Sequence, residues 1–134
     1  MFVRAFAFSV ALMLSSQAQA LEPGDLVGVW TTEWANAGDE PITGGGALQI
    51  ALDSGGESLD GLLPGPGMDG VLNGDVATDE NGALVWSGTW VSYWPEGATR
   101  GPFRMVFTGD AFTGTWSTDD GEVQNAAWNG RRSE

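Results

Sequence analysis

The sequence predicts an all-β protein, an antiparallel up-and-down meander most simply closed as an eight-stranded barrel. Three observations predict it. Residues 21–134 carry short runs in which apolar and polar residues alternate, and none with a sustained helical period. Gly, Asn, Asp and Pro punctuate those runs. The links between runs are short, so sequential strands pair with their neighbours.

Eight runs follow in order. The first covers 26–34. The second, 46–52, puts Leu48, Ile50 and Leu52 on one face. The third, 57–63, is weaker and stops at Pro64-Gly65-Pro66-Gly67. The fourth covers 70–77 and the fifth 83–94. The sixth, 102–108, aligns Phe103, Met105 and Phe107, and the seventh, 111–117, aligns Phe112 and Trp116. The last covers 123–131, with Ala126 and Trp128 on one face. Asn81-Gly82 and Asp120-Gly121 suit the positive φ of tight hairpin turns, and Gly109-Asp110 and Ser54-Gly55-Gly56 make further short links. A meander exposes two strand edges, and closure removes both. An open sheet or a sandwich is the alternative. The longest irregular stretch, 35–45, reads as a long loop or a lid over one end.

The first twenty residues read as a cleaved signal peptide. Arg4 gives the positive start, residues 5–14 are uncharged and mostly apolar, and Ala18-Gln19-Ala20 supplies the small residues of a cleavage site. The apolar run is shorter than the roughly 20 residues a bilayer requires. Cleavage leaves one domain, 21–134. The chain has no cysteine, so no disulfide staples it, which points to a bacterial envelope or secreted protein, periplasmic or extracellular.

The formal charge is −13, and loss of Arg4 makes the mature chain one unit more negative. Such a field repels phosphate backbones and anionic lipid, which disfavours nucleic acid and membrane surfaces as partners. A small neutral or cationic ligand, or a protein partner, is compatible with it. Solubility alone, or a salty habitat, also explains the acidity.

Gly-x-Trp occurs three times, as Gly28-Val29-Trp30, Gly88-Thr89-Trp90 and Gly114-Thr115-Trp116. Gly and Trp share a face in each, and the glycine is expected to leave room for a ring from a neighbouring strand. With Pro23-Gly24-Asp25-Leu26 before the first triplet and Arg131 near the end, the chain resembles the calycin superfamily, which includes lipocalins, fatty-acid-binding proteins, avidins and bacterial metalloprotease inhibitors. The resemblance implies a turn leading into Gly28 and Trp30 on the first strand, and Arg131 on the last strand lying across the Trp30 ring. An arginine stacked on an indole joins first strand to last by cation–π and hydrogen-bond contacts. The residues with which avidins contact biotin do not map onto this chain, and it lacks the long N-terminal arm of the protease inhibitors.

Trp86, Trp90 and Trp94 lie at even spacing on the fifth run and so share a face. Three indoles on one strand are candidates to line a ligand cavity or to form a stacking platform for a sugar; a core strand with one rim indole is the structural alternative. Trp34, near the end of the first run, is a further ligand-binding candidate. The acidic segments 79–82 and 119–122 do not fit an EF-hand loop and are sufficiently explained as turns, so no metal site is assigned. The chain has no histidine, cysteine or lysine, which removes the usual general base, the thiol nucleophile, the Ser-His-Asp triad and His/Cys zinc sites. No cofactor and no catalytic residue is assigned. The expectation is a non-catalytic barrel that binds a small molecule in its Trp-lined mouth. A loop-based interaction module, such as an envelope protease inhibitor, and a carbohydrate-binding surface are the alternatives.

Overall fold

A computed structural model describes residues 21–56, 58–64 and 69–133, without the side chains of Asp69 and Trp94. The signal peptide expected over 1–20 lies outside the described residues, as do Glu57 and Gly65-Pro66-Gly67 of the Pro-Gly turn. Eight antiparallel strands close into a barrel in strict chain order. They are β1 (Gly28–Ala35), β2 (Ile42–Leu52), β3 (Ser58–Leu63), β4 (Asp69–Thr78), β5 (Leu84–Trp94), β6 (Gly97–Thr108), β7 (Ala111–Trp116) and β8 (Ala126–Arg132). The last strand returns to the first, with Trp30 opposite Arg132 and Trp34 opposite Trp128. No helix among the described residues is long and apolar enough to cross a membrane.

Alternation sets the two faces of this wall. Leu48 and Ile50 on β2, Phe103, Met105 and Phe107 on β6, and Phe112 on β7 are buried, as their spacing predicts. One half of the lumen is filled solid. Trp30 meets Phe107 edge to face, with ring centroids 5.0 Å apart, and Trp86 meets Phe103 in the same way at 4.8 Å. Trp30 and Trp86 have no exposed surface at all.

Three stretches differ from the sequence reading. The irregular segment shrinks to 36–41, because Ile42 opens β2 and Gly44 pairs with Trp34. A run of three glycines suggests slack chain. Here Gly44 lies against the Trp34 indole, and a Cβ would overlap that ring. Upstream of Pro102, β6 extends back to Gly97, pairing Thr99 with Ser92 and Gly97 with Trp94. Conversely, β8 starts at Ala126. Residues 117–125 form a loop, in which the Thr118 amide donates to the Val123 carbonyl at 2.9 Å.

Three of the turns share one construction. Gly56, Gly82 and Gly121 each adopt positive φ and donate their amide to the carbonyl three residues earlier, on Asp53, Asp79 and Thr118 respectively. The Asp53 and Asp79 carboxylates accept further backbone amides, from Gly55 and Gly56 and from Asn81 and Ala83. These acids hold their own turns together.

The closed end corrects the assignment of the locking cation. A 3-10 turn, Pro23–Leu26, precedes β1, and Trp30 donates its indole N–H to the Leu26 carbonyl at 2.9 Å. The guanidinium over the Trp30 ring belongs to Arg132, 4.5 Å from the centroid, and not to Arg131. Arg132 also donates to the Val27 carbonyl at 3.1 Å, to the Asp25 carbonyl, and to the Asp110 carboxylate at 3.2 Å. Parity is the reason: Trp128, Gly130 and Arg132 share the inner face of β8, and Arg131 is exposed on the outer one.

The triplet glycines are corrected as well. A Cβ at Gly28 would meet Arg132, one at Gly88 the Asn73 and Gly74 backbone, and one at Gly114 the Arg104 backbone and Met105. The glycines that admit rings lie elsewhere: Gly44 under Trp34, Gly61 under Trp86 and Gly130 under Phe112.

Candidate functional site

The filled half of the lumen ends in a cavity. It occupies about 530 Å³ at the end opposite the Arg132 lock, within the roughly 300–1,000 Å³ of small-molecule sites. Strand direction places it there. β1, β3, β5 and β7 run towards this end, so Trp34, Leu63, Trp90 and Trp116 all fall near it. β4, β6 and β8 run away from it, and their early residues Gly70, Thr99 and Trp128 complete the wall.

Four indoles dominate that wall, Trp34, Trp90, Trp116 and Trp128. They meet edge to face in two pairs. Trp34 and Trp128 are 5.9 Å apart at 75°, and Trp90 and Trp116 are 5.4 Å apart at 84°. Two of them are fixed through their N–H groups. Trp90 donates to the Ser117 carbonyl at 2.8 Å and Trp116 to the Ala35 carbonyl at 3.0 Å. Trp90 stands opposite Gly101 on β6, whose missing side chain lets the Ser117 backbone approach. Gly46 leaves the β2 part of the wall bare, with the Trp34 ring 3.7 Å from where its Cβ would sit.

Two polar groups in this wall have no hydrogen-bond partner. Ser92 Oγ and Trp128 Nε1 are fully buried and unpaired, so neither atom opens onto the cavity, in residues 8% and 5% exposed. Other indoles do not share this state: Trp30, Trp86, Trp90 and Trp116 each donate to a backbone carbonyl. Buried polar atoms are nearly always paired, so an orphan needs a reason.

The four sequence candidates separate. Trp34 and Trp90 line the cavity. Trp86 does not: it is wholly buried beneath it, bonded to the Gly74 carbonyl at 3.2 Å. Four residues along a strand cover about 13 Å, so sharing a face does not place Trp86 and Trp90 at one depth. The Trp94 side chain lies outside the described residues. Spacing alone does not single out Trp116, Trp128 and Ser92, which also line the cavity. Their parity with Phe112, Ala126 and Trp90 already turned them inward, and strand direction would have set their depth.

No charged residue lines the cavity among the described residues. Charge gathers instead on the loops around its mouth, where Asp39, Glu40, Glu96, Asp119, Asp120 and Glu122 are exposed. The Asp120 carboxyl is held below its ordinary value, first by the Glu122 backbone amide and then by the Thr118 hydroxyl.

Comparison with known proteins finds no matching family model, no matching curated protein and no matching solved structure.

Proposed function

We propose that this chain is an exported, calycin-like barrel that binds a small molecule, without catalysis, in the cavity at its open end. The observation that carries the reading is an apolar, indole-lined cavity of about 530 Å³, two of whose lining residues, Ser92 and Trp128, keep a buried polar atom without a hydrogen-bond partner. A wall built only for stability would be filled and paired, as the closed half is. Export follows from the signal-like residues 1–20. The calycin-like assignment rests on the 3-10 turn, Trp30 and Arg132, which reproduce that superfamily's lock with the cation one residue later than the resemblance implied. The non-catalytic part rests on composition, since a chain without histidine, cysteine or lysine lacks the commonest general bases and nucleophiles. A sugar platform at the surface is less well supported. It calls for exposed coplanar rings, whereas these indoles meet edge to face around a lumen.

Native mass spectrometry of the protein, purified gently from its own host, tests this reading. A reproducible extra mass below about 1 kDa, lost on denaturation, is the expected result. A clean unliganded mass, together with no uptake from an extract of the host's small molecules, would count against it.

A further inference from the structure

The lining of the cavity and the charge around its mouth select among occupants in the same sense. We infer that the ligand is an organic cation with an N-alkylated, quaternary ammonium head; this rests on the reading of the cavity as a binding site.

The wall offers ring surface and withholds its indole donors. Trp34, Trp90, Trp116 and Trp128 line the cavity. An aromatic ring is electropositive at its edge and electronegative over its faces. Trp90 and Trp116 commit their N–H groups to the Ser117 and Ala35 carbonyls, and Trp128 Nε1 is fully buried. An occupant therefore meets these three rings through carbon and not through an N–H. Within the two pairs the ring planes cross at 75° and 84°, so the rings around the space face in different directions. A cation is attracted by the quadrupole of each ring it lies over, and indole is the strongest of the aromatic side chains in this respect.

The charges outside the lining favour the same sign. Loops 36–41, 95–96 and 117–125 join strands at this end. They carry Asp39, Glu40, Glu96, Asp119, Asp120 and Glu122, all exposed, and no basic residue. Asn36 and Thr118, at the start of two of these loops, line the cavity itself. Of the four arginines in the described residues, Arg131 and Arg132 lie at the closed end, and Arg100 and Arg104 are exposed on β6. Carboxylates around an opening in a low-dielectric wall concentrate cations there and deplete anions.

The kind of cation follows from the lining. A primary ammonium or an inorganic ion gives up tightly held water on entry, and no carboxylate lines the cavity among the described residues to replace it. A quaternary ammonium has no N–H to satisfy. Its charge is spread behind methyl groups, which pack on ring surface as an apolar group does.

Calorimetry with four meta-substituted phenols tests this. The substituent is trimethylammonio, its neutral isostere tert-butyl, a sulfonate, or aminomethyl, a primary ammonium at neutral pH. The trimethylammonio compound is expected to bind wild type about tenfold or more tighter than 3-tert-butylphenol. The sulfonate and the primary ammonium are expected to bind more weakly than the trimethylammonio compound. Added salt should weaken the trimethylammonio compound and leave 3-tert-butylphenol unchanged. The triple variant Asp39→Asn, Glu40→Gln, Glu96→Gln alters only exposed loop residues and should reduce that salt dependence. Equal or tighter binding of 3-tert-butylphenol overturns the cation assignment while the cavity stands. Equal binding of the primary ammonium overturns the quaternary head. Binding of the trimethylammonio compound that survives in folded Gly46→Phe, whose ring fills the cavity, places the cation on the acidic surface and also overturns the inference. If none of the four binds while wild type takes up the neutral dye Nile red, the cation class alone falls. If Nile red is not taken up either, the binding reading falls with it.

Discussion

At the scale of single residues, the two neighbouring arginines at the end of β8 have unequal roles. Arg132 stacks on Trp30 and bonds two carbonyls of the segment leading into β1, besides pairing with Asp110. Arg132→Ala is expected to destabilise by about 1–3 kcal/mol through lost stacking and unpaired carbonyls. Arg131→Ala, on the outer face, should stay within about 0.5 kcal/mol of wild type. Chemical denaturation of both variants checks the pair, and equal effects would contradict the lock. Two glycines make a second contrast. A Cβ at Gly130 would overlap the Phe112 ring, so Gly130→Ala is expected to cost about 1–3 kcal/mol. At Gly46 the nearest atoms lie at ordinary contact distance, 3.7–4.0 Å. Gly46→Ala should therefore be neutral or stabilise by roughly 0.5 kcal/mol, as alanine replaces a flexible residue within a strand. Thermal melts read both signs.

At the scale of elements, the 117–125 loop bears on the site because Ser117 and Thr118 connect it to the cavity wall. Its turn is tied by Asp120, whose carboxylate accepts the Glu122 amide at 2.9 Å. Because the folded pKa is depressed, the anion stabilises the turn at pH above the unfolded value. That contribution is lost as pH falls through the lower folded value. An NMR titration is expected to show the Glu122 amide following a carboxyl that titrates below ordinary aspartates. A midpoint at or above the ordinary value would contradict the tie. The strands themselves were legible because period-two alternation is a strong local signal, and all eight lie where it placed them, with shifted ends. The ends moved because of pairing across each hairpin or loop. Gly44 and Gly45 belong to β2 because Trp34 and Glu33 pair with them, and 97–101 belong to β6 because β5 offers a ladder that far. Val123 leaves β8 because its backbone closes a loop with Thr118. Alternation within one run does not reveal a partner that stands across a turn or loop.

At the scale of the whole molecule, the barrel divides its lumen into a sealed half and an open half. The sealed half holds the largest fully buried rings, and the Arg132 lock closes its end. The open half replaces that filling with a cavity walled by four indoles, with no charged lining residue among the described residues and with acidic loops at its mouth. The inward face of each indole was readable from parity, but its depth was not. Depth depends on strand direction and register, so parity alone groups Trp86 with Trp90 and leaves the depth of Trp128 open. The orphaned state of Ser92 and Trp128 was beyond the sequence altogether, because it depends on what fails to stand opposite them. Uptake of a neutral fluorescent probe, Nile red, by wild type and by Gly46→Phe tests the central claim most directly. Saturable one-to-one binding that quenches tryptophan emission, and that Gly46→Phe abolishes without loss of fold, is the expected result. No saturable uptake by wild type, or equal uptake by the filled variant, would contradict a binding site within the barrel.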